Sequence, residues 1–283
     1  MKKIICISLL AAVSVLLGCS GEENYEALAQ KGRDALNNKD YNEALHNFQK
    51  ALHLKPSDRD MLYSIGLAFK GLEMPDSAIS YLGRADVLYP SDREINEELL
   101  RLCPLVEDYE CALTAVKTLI ATGDNEEMFY IFLADFNYFL GNNFLAEKYY
   151  RLLIKEQPNE TRYYINLAEA LTKMQKYDES TKVLLTAMNR FGPNPFVFSN
   201  IAANYVPQKK FAEAEKYLRK AVEFDPNSLS LLINLAHVLS AQDDKEKKRE
   251  AIMIYRANYM DIPNLFNVDS LINVLEKEIE NMP

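Results

Sequence analysis

Cys103 and Cys111, eight residues apart in LCPLVEDYECA, are the side chains best placed to do covalent chemistry in this 283-residue chain. In an oxidising compartment the pair can close a disulfide; otherwise two buried thiols act as small hydrophobes. The other two cysteines, Cys6 and Cys19, belong to the N-terminal segment. His46, His53 and His237 form no ligand cluster with Cys103 and Cys111, so no metal site is expected. There is no phosphate-cradling glycine loop, no HExxH and no nucleophile elbow. No catalytic residue and no cofactor is therefore expected, and the abundant carboxylates read as solvated helix faces.

Lys2 and Lys3 precede IICISLLAAVSVLL, an apolar run of fourteen residues at 4–17. That is short for the roughly 30 Å hydrocarbon core but suits a secretory leader. The run ends in Leu16-Leu17-Gly18-Cys19, which resembles the lipobox of bacterial lipoproteins. The resemblance implies cleavage after Gly18, a leader of 1–18, and acylation of Cys19, with 19–24 as a short tether. Losing the leader removes two lysines and no acid, taking the formal charge from −9 to −11. Ser20 in place of Asp implies, by the same resemblance, a lipid-anchored protein of the bacterial envelope, held at the outer membrane. With no dense Lys/Arg run, a nucleic-acid partner is not expected.

Elements that would position further residues repeat with a period of 34. Counting units from 25, 59, 93, 127, 161, 195 and 229, position 8 reads Gly32, Gly66, Leu100, Ala134, Ala168, Ala202 and Ala236. Position 20 reads Ala44, Ala78, Ala112, Ala146, Ser180 and Ala214, and Pro56, Pro90, Pro158 and Pro226 stand at position 32. Small residues let paired helices approach closely, and Pro ends the second helix. The seventh unit resumes at Ala251 and Tyr255 after three extra residues within QDDKEKKRE.

From residue 25 to about 263 the chain resembles the tetratricopeptide repeat family. The resemblance implies an all-α, right-handed solenoid of about seven helical hairpins. A terminal helix over 264–283 should cap it, with Leu271, Val274, Leu275 and Ile279 at helical spacing and Asp269 or Ser270 at its start. The third unit matches worst, with Asn96 and Leu100 at small or packed positions and Pro104 shortening its first helix. In the sixth, Pro207 should end the first helix near Tyr205 and reshape the groove.

Such arrays hold a peptide or helix on the face formed by their first helices, at positions 2, 5, 9, 12 and 13. Here that implies Glu97, then Met128, Ile131, Asp135, Tyr138 and Phe139, then Ile165 and Glu169, then Phe196. The expected partner is a protein segment with apolar anchors and a basic residue or two. A plainer reading makes the aromatics of MFYIFLADFNYFLGNNF inter-helix packing. Lys is absent from position 5, which disfavours a clamp for a C-terminal carboxylate. Expected is a membrane-anchored scaffold or adaptor in envelope assembly or protein recruitment. The alternatives are a small-ligand or glycan receptor and a self-assembling, homo-oligomeric structural lipoprotein.

Overall fold

The computed structural model describes residues 24–258 and 267–282. The expectations for the leader, for Cys19 and for the end of the array near Pro263 lie outside the described residues. The chain divides into two compact units, Met1–Glu126 and Glu127–Pro283. In the first, α1 (Tyr25–Asn37), α2 (Tyr41–Leu54), α3 (Arg59–Gly71), α4 (Pro75–Leu88), α5 (Arg93–Leu102) and α6 (Tyr109–Ala121) pair as three hairpins. The second pairs α7 (Tyr130–Phe139) with α8 (Asn143–Glu156) and α9 (Thr161–Lys173) with α10 (Tyr177–Phe191). It continues with α11 (Pro195–Tyr205) and α12 (Phe211–Phe224), α13 (Leu229–Ser240) and α14 (Lys245–Ala257), and ends in α15 (Val268–Asn281). Each unit is an all-α solenoid stack, and no strand occurs among the described residues.

The helices start where their caps dictate. Asn24, Asp40, Asp58, Asp92 and Asp108 each accept a backbone N–H from the first turn of the helix that follows. Each such cap stabilises by about 1 kcal/mol. Six of the seven hairpin turns place one residue in the left-handed region, the exception being the turn between α13 and α14. Lys39, Glu73, Glu107, Gln175 and Lys209 fill it with φ between 57° and 61°, and Gly141 with φ 77°. These six stand at intervals of 34, all at position 15.

The small residues do what their spacing predicts. A Cβ on Gly32 would lie 2.4 Å from Phe48 Cε1, and one on Gly66 would lie 2.7 Å from Leu82 Cγ. Ala134, Ala146 and Ala202 are all buried, and Tyr150 fills the space beside Ala134 and Ala146. Ser180, standing where other units have Ala, is fully buried and satisfied. Its hydroxyl donates to the Ala168 carbonyl at 2.8 Å and accepts from Asn204 Nδ2 at 2.8 Å. Thr172 Oγ1 donates to Asn204 Oδ1 at 2.6 Å, closing a network that fixes α9, α10 and α11 in one register.

Departures from the repeat have local causes. Pro104 ends α5 in a 3-10 turn, Cys103–Val106, and a disulfide joins Cys103 to Cys111 on α6 with Cα atoms 5.9 Å apart. The fourth unit opens with a 3-10 turn, Glu126–Phe129, so Met128 sits before α7 and not on it. In the seventh, the three extra residues lengthen the start of α14, not the loop: Ala251 is its seventh residue where Ala214 is the fourth of α12. Lys248, on that added turn, is nearly buried and bonds Glu278 of α15 at 2.7 Å.

The terminal helix packs on α14, but its inward stripe is Val268, Ile272 and Leu275, with Leu271 and Ile279 at its margin. Val274 is 48% exposed. Its cap is Asn267, which accepts from the Ser270 amide at 3.0 Å, and not Asp269 or Ser270. Helix geometry explains the shift: 268, 272, 275 and 279 keep i, i+4, i+7 phase, and Val274 falls outside it.

Candidate partner-binding face

In the second unit the expected lining residues lie on α7, α9 and α11, apart from Met128 in the turn before α7, and the first helices are tied together by a recurring polar contact. Asp135 on α7 accepts from Tyr150 Oη at 2.6 Å and from Asn166 Nδ2 on α9 at 3.5 Å. Glu169 on α9 accepts from Tyr138 Oη on α7 and from Asn200 Nδ2 on α11, both at 3.4 Å. In both cases a position-6 Asn reaches the position-9 carboxylate thirty-one residues earlier. Residue types alone gave these asparagines no weight; the signal was their fixed distance from an acid.

No ion pair among the described residues closes the two carboxylates of this face, although the Arg162 charge acts on Asp135 from farther off. Neither Asp135 nor Glu169 has an ion-pair partner among the described residues; their hydrogen-bond donors are Tyr and Asn. Asp86 in the first unit is likewise held only by an Asn, Asn96, but other partly buried carboxylates have cations. Asp92 holds Arg59, Glu147 holds Arg151 and Lys176, and Glu215 holds Arg219 and Lys247. Burial pushes the Asp135 carboxyl above its ordinary range, opposed by the Tyr150 hydroxyl, the Arg162 charge and Asn166. Tyr138 and Tyr150 are both raised, first by burial and then by the neighbouring carboxylates Glu169 and Asp135.

Apolar groups accompany the charges. Phe139 is 57% exposed and meets Tyr138 edge-on with ring centroids 5.6 Å apart; Met128 and Phe196 are about 70% exposed, at 70% and 71%. Ile131 and Ile165 are half-buried against the cores of their hairpins and back the face from behind. Tyr138 does both jobs, packing beside Tyr150 and Ala134 while presenting its hydroxyl to Glu169. Of the surrounding aromatics, Phe129 and Phe136 are buried packing groups, and Phe132 is 38% exposed. Glu97 belongs to the first unit, where Arg93 and Arg101 hold its carboxylate at 2.8 and 3.5 Å.

Between α11 and α13 lies a pocket of about 250 Å³ with Ser199, Ala203, Val206, Asn234, His237 and Val238 among its walls. Pro207, which also lines it, stops α11 at Tyr205 and opens this end of the face. No group of three or more His, Cys, Asp and Glu among the described residues is arranged to hold a metal. No helix among them is long and apolar enough to cross a membrane.

Tetratricopeptide repeat models match residues 30–93 and 197–228, in the first unit and across α11 and α12. The chain carries tetratricopeptide repeats. Human Protein O-mannosyl-transferase TMTC3 is 25% identical over 218 residues, which are 76% of this chain. The chain spans only 22% of that relative's length. Among solved structures, a tetratricopeptide repeat protein from Parabacteroides merdae aligns over 91% of this chain and 99% of its own, with 19% identity and TM-score 0.51. The Naa15/Naa10 structure bound to HypK-THB aligns over 90% of this chain and 39% of its own, with 16% identity and TM-score 0.61. At these identities the likeness is one of fold: hairpins stacked through tetratricopeptide spacing.

Proposed function

We propose that this repeat protein is a non-catalytic scaffold that takes a segment of a partner protein along its first helices and is held at a bacterial envelope membrane by a lipid on Cys19. The observation that carries the binding role is the pair Asp135 and Glu169, held by neutral donors beside exposed Phe139 and Phe196. A buried or half-buried carboxylate without a cation costs stability that an internal Arg or Lys would recover. A Lys or Arg of the partner would supply that charge, and the aromatics would anchor the flanking apolar residues.

Support for the anchor comes from the sequence: Lys2, Lys3, the apolar run 4–17 and Leu16-Leu17-Gly18-Cys19. From Cys19 to Asn24 are five steps of roughly 3.3–3.6 Å, so the first hairpin would start within about 20 Å of the bilayer. The scaffold would then act on proteins at that surface, in envelope assembly or recruitment.

Two measurements test this. Cys19→Ala should move the protein from the membrane fraction to the soluble one; unchanged fractionation sinks the anchor. A photo-crosslinker at Phe139 should capture a defined partner whose yield falls in Asp135→Asn and Glu169→Gln, with Val87, 81% exposed in the first unit, as the control site. Equal capture from Val87, or capture indifferent to both charge removals, sinks the binding face.

A further inference from the structure

The second helices of the first unit end in apolar residues where those of the second unit are mostly polar. At repeat positions 29 and 30 stand Val87 and Leu88 of α4, 81% and 47% exposed, and at position 30 Leu54 of α2, 52% exposed. The same positions read Lys155 and Glu156 on α8, Asn189 and Arg190 on α10, and Glu223 beside exposed Phe224 on α12. Tyr89 follows Leu88 and donates its hydroxyl to the Ser57 carbonyl just past α2 at 2.8 Å, so the ends of α2 and α4 form one edge. Exposed apolar groups gathered in this way mark an interaction surface.

A groove of about 340 Å³ opens beside that edge, between α2 and α4, with Leu52, His53, Pro56, Tyr81 and Arg84 among its walls. Arg84 lies over the Tyr81 ring, 5.1 Å from its centre, and neither Arg84 nor His53 meets a carboxylate among the described residues. The corresponding groove of the second unit, between α8 and α10, has Arg151 and Lys155 at the repeat positions of Gln49 and His53. There Glu147 and Glu179 hold Arg151, and Glu156 stands 3.8 Å from Lys155. The groove of the first unit therefore offers a guanidinium and an imidazole to an anion, next to bare aliphatic side chains. A phospholipid matches both: its phosphate accepts from the donors, and its acyl chains cover the aliphatic groups.

A bilayer is the occupant selected by the place where the chain enters this unit. Lys55, next to Leu54, sets its Nζ 3.4 Å from the centre of the Tyr25 ring and 3.7 Å from Glu26 Oε1. Tyr25 opens α1, directly after Asn24, where the tether from Cys19 ends. The apolar edge thus adjoins the point at which a lipid on Cys19 would hold the unit.

We propose that this edge of the first unit lies on the bilayer, with Leu54, Val87 and Leu88 inserted between headgroups and with Arg84 and His53 on lipid phosphate. This rests on the lipid anchor at Cys19 and supplies what a short tether does not, a fixed orientation of the first unit against the membrane.

The chain contains no tryptophan, so Val87→Trp is a single reporter. Residues 19–283 of this variant, with Cys103 and Cys111 in their disulfide, carry one free thiol, Cys19, for coupling to a maleimide lipid. In phosphatidylglycerol vesicles with brominated acyl chains, the indole of Val87→Trp should be quenched severalfold more than that of Met74→Trp. Met74 is also exposed but stands at the other end of α4, about 20 Å along its axis. Adding Arg84→Glu, at an exposed side chain, should leave thermal unfolding intact and bring the quenching of Val87→Trp down toward that of Met74→Trp. Equal quenching at the two ends of α4, or quenching indifferent to Arg84→Glu, would overturn the proposal. So would a photo-crosslinker at Val87 that captures protein and not phospholipid in cells. Because the thiol coupling supplies the anchor, the vesicle result does not depend on acylation of Cys19, which the Cys19→Ala fractionation decides separately.

Discussion

Arg59 grips Asp92 at two points, Nε to Oδ2 at 2.8 Å and Nη2 to Oδ1 at 2.7 Å. Asp92 is at the same time the cap of α5, its Oδ1 accepting from the Ile95 amide at 3.1 Å. The first residue of one hairpin thus holds the start of the next. One repeat earlier, Tyr25 Oη donates to Asp58, the cap of α3, at 2.8 Å. Its phenol is pushed up to about 12 by burial and by Asp58. The same position solves the same problem with different chemistry.

Arg59→Ala should cost the first unit about 1.5–3 kcal/mol at neutral pH, the range for a hydrogen bond to a charged group. The guanidinium holds the Asp92 carboxyl below its usual range. A depressed folded pKa contributes stability above the unfolded value, about 3.9, and loses it as pH falls through the folded value. Glu147 and Glu215 act in the same sense: burial alone would raise them, but their Lys and Arg donors outweigh it. Asp86 and Asp135, raised by burial, act oppositely and lose stability as pH rises through their folded values. Urea unfolding across pH should therefore show the Arg59→Ala deficit shrinking toward acid. A deficit of constant size would mean that Asp92 is not its source.

Gly32→Ala should destabilise by about 1–3 kcal/mol through overpacking against Phe48. The added Cβ would stand 2.4 Å from Phe48 Cε1, and ring atoms on a packed side chain have nowhere to retreat. Trimming the neighbour should relieve this, so Gly32→Ala with Phe48→Leu should cost less than the two single changes summed. Strict additivity in a double-mutant cycle would show that the close approach is not what fixes this residue.

Phe48 also shows why the repeat was legible in the sequence. Small residues at positions 8 and 20 and a large one at 24 are demanded by the helix–helix distance itself, so their spacing reports the fold directly. The left-handed residue at position 15 was not legible. Five of its six occupants are Lys, Glu or Gln, and the surrounding helix ends impose a conformation that their residue types do not announce. Lys248 was hidden for a similar reason: a lysine in QDDKEKKRE reads as solvated until the terminal helix brings Glu278 over it. On the binding face, the residue types at the lining positions could be read, but burial could not. Whether Tyr138 is core or surface depends on Tyr150 and Glu169, which approach it from other helices.

The bridge between Cys103 and Cys111 closes a short loop across the weakest hairpin. With a sequence separation of 8, chain-entropy bookkeeping gives roughly 2–3 kcal/mol for such a link. Cys111→Ser should lower the unfolding midpoint of the first unit accordingly and leave the second unit's unchanged. Denatured, unreduced mature protein should take up no thiol label at either position; labelling of both would show the pair reduced.

Asp135→Asn separates the structural and functional parts of the binding face. Asparagine keeps an oxygen for the Tyr150 and Asn166 donors while removing a charge whose burial is unfavourable. Stability should stay level or rise by up to about 1 kcal/mol. Partner affinity should fall about tenfold or more, as expected when a desolvated cation loses its counter-charge. Phe139→Ala should likewise spare the fold, since its ring is 57% exposed, and weaken the partner. Tyr138→Ala is the wrong probe, because it also removes packing; Tyr138→Phe isolates the hydroxyl held toward Glu169. If Asp135→Asn instead lost several kcal/mol with binding unchanged, the carboxylate would be a structural tie for Tyr150 and not a counter-charge for a partner.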